Sequence, residues 1–450
     1  MTDMKLPLTY PEDAPHSAAL YERARRVLPG GNTRTTVFMP PFPLYAARGE
    51  GCRVWDADGA ARIDCINNFT ALIHGHAHPV IVGEATAQIA LGTAFGMPTE
   101  HEIALAELLC ERLAHVEQLR FCNSGTEAVM MAIKAARAFT GRARIAKVEG
   151  AYHGTYDYAE VSLDPTPRTW GGNRPNPQPA ARGTPDGVLA DVVVLPFNDP
   201  GAAASLIREA GHSLAAVLLD PMPQRVGLIA ASADYVEAVQ AAARAVGALL
   251  IFDEVICFRL GHGGAQAIWQ AEPDLTAFGK IIGGGFPVGA VGGRSDVMAV
   301  FDPTGGKPAL PHGGTFSANP VTMRAGLAAM TLLDAQTFAH LDALGERMRE
   351  GMRRALRDAR MPGQVTGMGS LLKVHMTDRP ITDYRSAYAD PPEAARRAAL
   401  HRALLDHGVL AAPDGLMALS TVMTVADVEA AIAAFGEAVR KVRDHVPVVT

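Results

Sequence analysis

The spacing of apolar and polar positions divides the chain into three stretches. Up to about residue 65 the pattern is mixed. "SAALYERARRVL" has helical spacing, and "PGGNTRTTVFMPPFPL" is broken by glycine and proline. "GCRVWDADGAARIDCIN" alternates apolar and polar residues around "DADG", predicting a hairpin closed by an Asp-Gly turn. From about residue 100, helical patterns such as "EIALAELLCERLA" and "TEAVMMAIKAARAF" alternate with short apolar runs: "QLRFC", "RIAKVE", "DVVVLPF", "AAVLLD", "GALLIFDE" and "DLTAFG". Strands alternating with helices predict an α/β fold with a mostly parallel central sheet covered on both faces. Beyond about residue 320 the spacing predicts long helices, in "VTMRAGLAAMTLLDAQ" and "HLDALGERMREGMRRALRDA". Short strands follow in "SLLKVHM", "GVLAAP" and "LMALST", then a closing helix in "VADVEAAIAAFGEAVRKVRDH". That is the pattern of a smaller α+β C-terminal domain. Residues 162–187 hold six prolines and no period. They read as a long loop, either functional or a plain surface insertion.

Composition narrows the classes. With 450 residues, 48% hydrophobic and 20% charged, the chain suits a globule of two domains plus a terminal segment. A net charge of 41 − 47 = −6 argues against nucleic acid as the main partner. The five cysteines, Cys52, Cys65, Cys110, Cys122 and Cys257, include no CxxC pair and read as reduced thiols of a cytoplasmic protein. The start "MTDMKLPLTYPEDAPH" lacks the apolar run of a signal peptide, and the longest apolar runs fall short of the ~20 residues of a membrane span.

Candidate chemistry gathers at predicted strand ends. Asp253 and Lys280 each follow an apolar run, and in open α/β sheets ligands sit beyond the carboxyl ends of the strands. A desolvated lysine can form a Schiff base with an aldehyde, and a carboxylate facing a pyridine nitrogen keeps it protonated. Pyridoxal phosphate (PLP) requires that pairing. A strand-end lysine in a surface ion pair is the alternative. Asn123-Ser124-Gly125-Thr126 lies between a strand and a helix, a place for an anion such as phosphate or for a plain N-cap. Tyr152, in "GAYHGTYD", could stack on a flat ring or fill a turn. "HGHAH" (His74, His76, His78) is broken by Gly75 and followed by Pro79, so no metal is expected there. "GGGFPVG" fits neither nucleotide-loop pattern, and its glycines read as room for a cofactor beside Lys280.

Taken together, "NSGTEA", "YHG", "FDEV", "FGKIIGGGFPVGAVGGR" and "GGTFSANP" resemble, in identity and order, the class III aminotransferases, PLP enzymes of fold type I. The resemblance runs from about residue 25 to the C-terminus. It implies a large PLP-binding domain over residues 66–320, a small C-terminal domain over 321–450, and an N-terminal segment, 1–65, contributing to the small domain and active site. By resemblance, Lys280 is the Schiff-base lysine and Asp253 the partner of the pyridine nitrogen. Val255 and Tyr152 would lie on the two ring faces, and Ser124, Gly125 and Thr126 would hold the phosphate. Thr315 matches a position that reaches the phosphate of the neighbouring subunit, implying a homodimer. One departure is Asp220-Pro221 where the family often has Glu-Pro. Asp220 is therefore left out of the catalytic set.

Two subgroups compete. "PGGNTRTTVFMPPFPLYAARGEG", "LRFCNSGTEA" and "GGRSDVMAVFDP" look closer to the β-phenylalanine aminotransferases than to glutamate-1-semialdehyde 2,1-aminomutase. "DEVICFR" has three residues between Val255 and Arg259, where the aminomutase pattern DEVMTGFR has four. Arg34 matches an arginine that grips a substrate carboxylate. "APDGL", with Asp414, stands where the β-phenylalanine enzyme has an arginine in "SPRGF"; an aspartate there would repel a dicarboxylate acceptor unless it points away. The expected activity is amino transfer from an amino acid, β-amino acids first, or an amine to a keto acid. An aminomutase-type isomerase is the alternative, and a non-catalytic PLP-binding protein a remote one.

Overall fold

A computed structural model describes residues 8–445. The first seven residues, on which the expectation of no signal peptide partly rests, lie outside the described residues. Contacts divide the chain into two compact units.

The larger unit, Val80–Phe338 with Pro380–Tyr388, is built on a seven-stranded sheet. Its strands are β1 (Gln118–Cys122), β2 (Arg144–Val148), β3 (Val192–Leu195), β4 (Leu214–Leu219), β5 (Leu249–Asp253), β6 (Leu275–Gly279) and β7 (Gly289–Gly293). Across the sheet they run β1-β7-β6-β5-β4-β2-β3. The pairs among β3, β2, β4, β5 and β6 are parallel, as the alternating pattern predicts. β7 was not predicted. It enters antiparallel to both β6 and β1, with Gly289 opposite Gly279 and Cys122. Its sequence, GAVGG, has almost no side chain to give a strand signal. The glycines are there for closeness: a Cβ on Gly289 would strike the Ser124 carbonyl, and one on Gly293 the Asp274 carbonyl.

Alternation along β5 assigns its two faces. Leu249 and Ile251 join a cluster with Ala128, Ile133 and Ala277, under the helix Gly125–Thr140. Leu250 and Phe252 join the opposite cluster with Ile207, Val217 and Tyr235, under the helices Pro200–Ala210 and Ala233–Val246. Ser124 caps the first of these helices, its hydroxyl accepting from Glu127 N at 3.1 Å, and Gly141 ends it at φ +68°. Its sheet-facing positions are mostly alanine, Ala128, Ala132, Ala135 and Ala136, all fully buried, so the helix axis lies close to the strands.

Among the described residues, the smaller unit comprises the chain up to Pro79, Ala339–Arg379 and the stretch from Ala389 on. The expected hairpin forms between Arg53–Asp56 and Ala61–Asp64, with Gly59 at φ +86° in its turn. Ala61–Asp64 also pairs in parallel with Val409–Leu410, so an early strand and a late one share a sheet. The closing helix spans Val425–His445. Among the described residues no helix is long and apolar enough to cross a membrane.

Candidate active site

β5 delivers Asp253 to the crevice at its carboxyl end. The side chain is buried, and both oxygens are engaged: Oδ1 accepts from Val255 N at 3.0 Å and Oδ2 from His153 Nδ1 at 2.7 Å. A carboxylate only accepts, so Nδ1 carries the hydrogen. Burial pulls the His153 imidazole below its usual range, outweighing the hydrogen bond and charge of Asp253. The ring is therefore neutral, and its Nε2 is buried without a hydrogen-bond partner among the described residues. Each Asp253 oxygen keeps a lone pair for a further donor. His153 was not among the sequence-derived site residues; its signal was its place in "YHG", next to Tyr152.

Lys280 follows β6, the strand next to β5. Its backbone is left-handed, φ +52°, an uncommon conformation for a residue with a side chain and one that clusters at functional positions. Burial pulls its amine down to about 8, against the upward pull of Asp253, then Asp220 and Cys257. A Cβ on the preceding Gly279 would lie 3.3 Å from Val255 Cγ1 and 3.5 Å from Gly125 Cα. Val255 is thus wedged between the Gly125 turn and the Lys280 strand.

Asp220, at the end of β4, belongs to the same cluster. Its Oδ1 accepts from Met222 N at 2.9 Å and from Cys257 Sγ at 3.0 Å. Burial, then the charge of Asp253, raises it to about 7. The side chain of Asp220 is met by a thiol, that of Cys257, from the interval between Val255 and Arg259. Glu254, beside Asp253, takes no part: its carboxylate is buried, accepting from Ala265 N (2.6 Å), Gln266 N (3.1 Å) and Gln266 Nε2 (3.0 Å).

The turn Asn123-Ser124-Gly125-Thr126 leads into a helix of 16 residues. Ser124 is an N-cap, as the plainer reading holds, yet capping uses only its acceptor lone pair. The amides of Gly125 and Thr126 have no partner within the helix, and the helix dipole adds positive charge there. Glu127 folds back to accept from Asn123 N at 2.5 Å, which takes its carboxylate to the start of the turn. Thr126 Oγ1 accepts from Thr155 N at 3.3 Å, and a Cβ on Gly154 would strike Thr126. The "YHG" loop and the Ser124 turn are therefore in direct contact.

Tyr152 is 45% exposed. Thr315 lies on an exposed turn, and a Cβ on the adjoining Gly314 would be 3.6 Å from the Asn123 amide of the same chain. Two of the glycines after Lys280 serve the fold: Cβ atoms on Gly283 and Gly284 would strike Val288 and the Ala325 carbonyl, and Gly284 sits at φ +59°. In the smaller unit, Arg34 donates to Asn68 Oδ1 at 2.7 Å and lies 5.0 Å from the Phe69 ring centre. Asp414 pairs with Lys373 at 2.9 Å, which holds its carboxyl down at about 2 despite burial. His74 bonds Thr421 at 2.9 Å and His76 bonds Asp64 at 2.7 Å. Among the described residues, no three His, Cys, Asp or Glu side chains are placed to hold a metal.

The larger-unit residues fit PLP as a set. Asp253 has lone pairs for a pyridinium N–H, Lys280 an amine for the aldehyde, the helix N-terminus amides for the phosphate, and Tyr152 an open ring face. When bound, PLP supplies an electron sink for carbon–hydrogen bond cleavage beside an amine. An α/β sheet with this site defines a PLP-dependent enzyme of fold type I. Comparison with known proteins specifies it further: the family profile Aminotransferase class-III matches residues 36–439, and the chain belongs to that family. It is 41% identical over 372 residues, 82% of this chain and 86% of the relative, to glutamate-1-semialdehyde 2,1-aminomutase of Methanothermobacter thermautotrophicus. Among solved structures, an omega-transaminase from Sphaerobacter thermophilus is 54% identical with TM-score 0.93, covering 96% of this chain and 99% of that one. A β-phenylalanine aminotransferase from Variovorax paradoxus is 37% identical with TM-score 0.84, covering 94% of each.

Proposed function

We propose that the chain transfers an amino group from an amino acid, β-amino acids first, or an amine to a keto-acid acceptor. The observation that carries this reading is the amine of Lys280 beside the carboxylates of Asp253 and Asp220, at three neighbouring strand ends. In this reading Asp253 keeps the pyridine nitrogen protonated, with His153 fixing the carboxylate. Ser124, Gly125 and Thr126 bind the phosphate, and Val255 and Tyr152 take the two ring faces. An amine held near 8 is partly neutral at working pH, so Lys280 Nζ can take the proton from the amine-bearing carbon of the donor and return it.

Supporting amino transfer over isomerisation are the likeness to the omega-transaminase and the three-residue interval from Val255 to Arg259. Arg34 meets a neutral amide and an aromatic face, and in this reading it grips a donor carboxylate. The identity with aminomutases favours the second reading, in which the amino group returns to the same carbon skeleton. A donor-by-acceptor panel tests both. Consumption of pyruvate or 2-oxoglutarate with a β-amino acid is expected; isomerisation of a semialdehyde with no keto acid consumed would refute amino transfer.

The reading includes a homodimer with Thr315 reaching the partner's phosphate site. Exposed Phe95 and Met97 share a hollow of about 290 Å³ with Thr315, and Leu91 and Phe316 are 70% and 61% exposed in the same unit. It also includes a cytoplasmic location, in keeping with five free cysteines, four of them buried.

A further inference from the structure

Arg225 has no part in the cofactor site, yet it stands on the same side of the sheet. It lies in the turn Gln224–Val226, on the loop that leaves the carboxyl end of β4 just after Asp220. Burial pushes the Tyr152 phenol up; of the charges acting on that phenol, Glu160 and Asp253 also push it up and Arg225 pulls it down. Tyr152 thus has Asp253 and Arg225 both within charge range. The Arg225 side chain is 36% exposed and pairs through Nη2 with Oδ1 of Asp164. Its Nε is buried with no hydrogen-bond partner among the described residues. A guanidinium offers five N–H donors in a planar fork, so this one has unused capacity for a second oxygen.

Asp164 arrives on the proline-rich loop, and that loop is built. Ser162 Oγ donates to the Asn176 carbonyl at 2.8 Å and Tyr384 Oη to the Pro165 carbonyl at 2.9 Å, fixing the backbone on both sides of Asp164. Arg385 donates to the carbonyls of Trp170 (2.9 Å) and Gly172 (2.7 Å) and to both oxygens of Glu149, just past β2. The Asp164 side chain itself is 63% exposed. Its backbone is held while its carboxylate is free to turn outward, and an exposed ion pair is weak enough to exchange.

We propose that Arg225 is the subsite for the carboxylate of the acceptor keto acid, with Asp164 the internal counter-ion that this carboxylate displaces. The proposal rests on the transaminase reading and supplies the acceptor cation that Asp414 does not. A bidentate carboxylate would engage Nε as well as Nη2, which Asp164 does not do.

The test uses the holoenzyme and two variants. Arg225→Met should raise KM for pyruvate and 2-oxoglutarate at least ~10-fold and weaken calorimetric binding of inert glutarate by a similar factor. The half-reaction with benzylamine, which has no carboxylate, should keep its rate. Asp164→Asn should lower KM for the keto acids and tighten glutarate. Unchanged acceptor KM and glutarate affinity in Arg225→Met would overturn the proposal, as would an equal loss with benzylamine, which would make Arg225 a support for Tyr152. Weaker glutarate binding in Asp164→Asn would overturn the displacement. A wild type that converts with no amine would refute the transaminase reading instead, and glutarate calorimetry would still decide Arg225.

Discussion

Three carboxylates lie at or just beyond the ends of two adjacent strands, and their partners give them different roles. Asp253 is bonded by a neutral imidazole and a backbone amide and keeps capacity toward the crevice. Asp220 is met by the Cys257 thiol and raised to about 7, first by burial. Glu254 is consumed by Ala265 and Gln266. Lys280 responds to the first two. Its folded-state amine is pulled from an ordinary 10.5 to about 8, so between those values it is neutral where an exposed lysine would be charged. Imine formation needs the neutral amine. In the cofactor-free protein, the rate of PLP capture, followed by visible absorbance, should therefore rise with pH through about 8 and level off above it. Asp253 pulls the amine upward, so Asp253→Asn should move that midpoint lower. A wild-type rate still climbing through the ordinary lysine range would contradict the burial argument.

Among the elements, the proline-rich stretch 162–187 is the one whose nature depended most on contacts far along the chain. It has almost no regular structure, yet Arg385 joins it to the end of β2 through Glu149, and Tyr384 bonds it at Pro165. Burial raises Glu149, and Arg385 opposes that. Arg385→Ala leaves a buried carboxylate unpaired, which costs on the order of 3 kcal/mol when a buried partner is removed, and releases three loop carbonyls. The loop carries trypsin sites after Arg168 and Arg182, while Arg174 precedes Pro175. Native-state trypsin should nick Arg385→Ala after Arg168 or Arg182 at least ~10 times faster than wild type, with Arg385→Lys between them. Wild-type nicking rates in Arg385→Ala would show that the loop is held by other contacts.

At the scale of the whole molecule, the proposed dimer makes Thr315 and Lys280 of different subunits parts of one site. Lys280→Ala removes the amine, and a Thr315→Leu variant should bind PLP more weakly. Coexpressed, the two inactive or impaired chains form mixed dimers in which one site has both Lys280 and the partner's Thr315. Isolated mixed dimers should recover about half the wild-type activity, since one of the two sites is whole. Failure to recover activity in isolated mixed dimers would place Thr315 outside the partner's site. The exposed Leu91, Phe95, Met97 and Phe316 are apolar surface of the kind such an interface covers.

Local pattern was enough for six of the seven strands of the central sheet, because all but β1 are runs buried almost throughout between helical segments, and β1 ends in the buried Phe121 and Cys122. It was also enough for Asp253, Lys280 and the Ser124 turn, which follow or precede those runs directly. Family motifs joined them into one site. The remaining features needed tertiary structure because they depend on pairs distant in sequence or on the lack of a side chain. β7 is visible only once Gly289 is seen against the Ser124 carbonyl. Two of the glycines after Lys280, expected to make room for a cofactor, make room for Val288 and Ala325. Asp220 joins the site through Cys257, and the charge of Asp414 is answered by Lys373. Arg225 gains its partner from a loop some sixty residues earlier. A strand's apolar period is written in adjacent residues, whereas a buried charge is defined by what surrounds it, and only the folded chain brings those neighbours together.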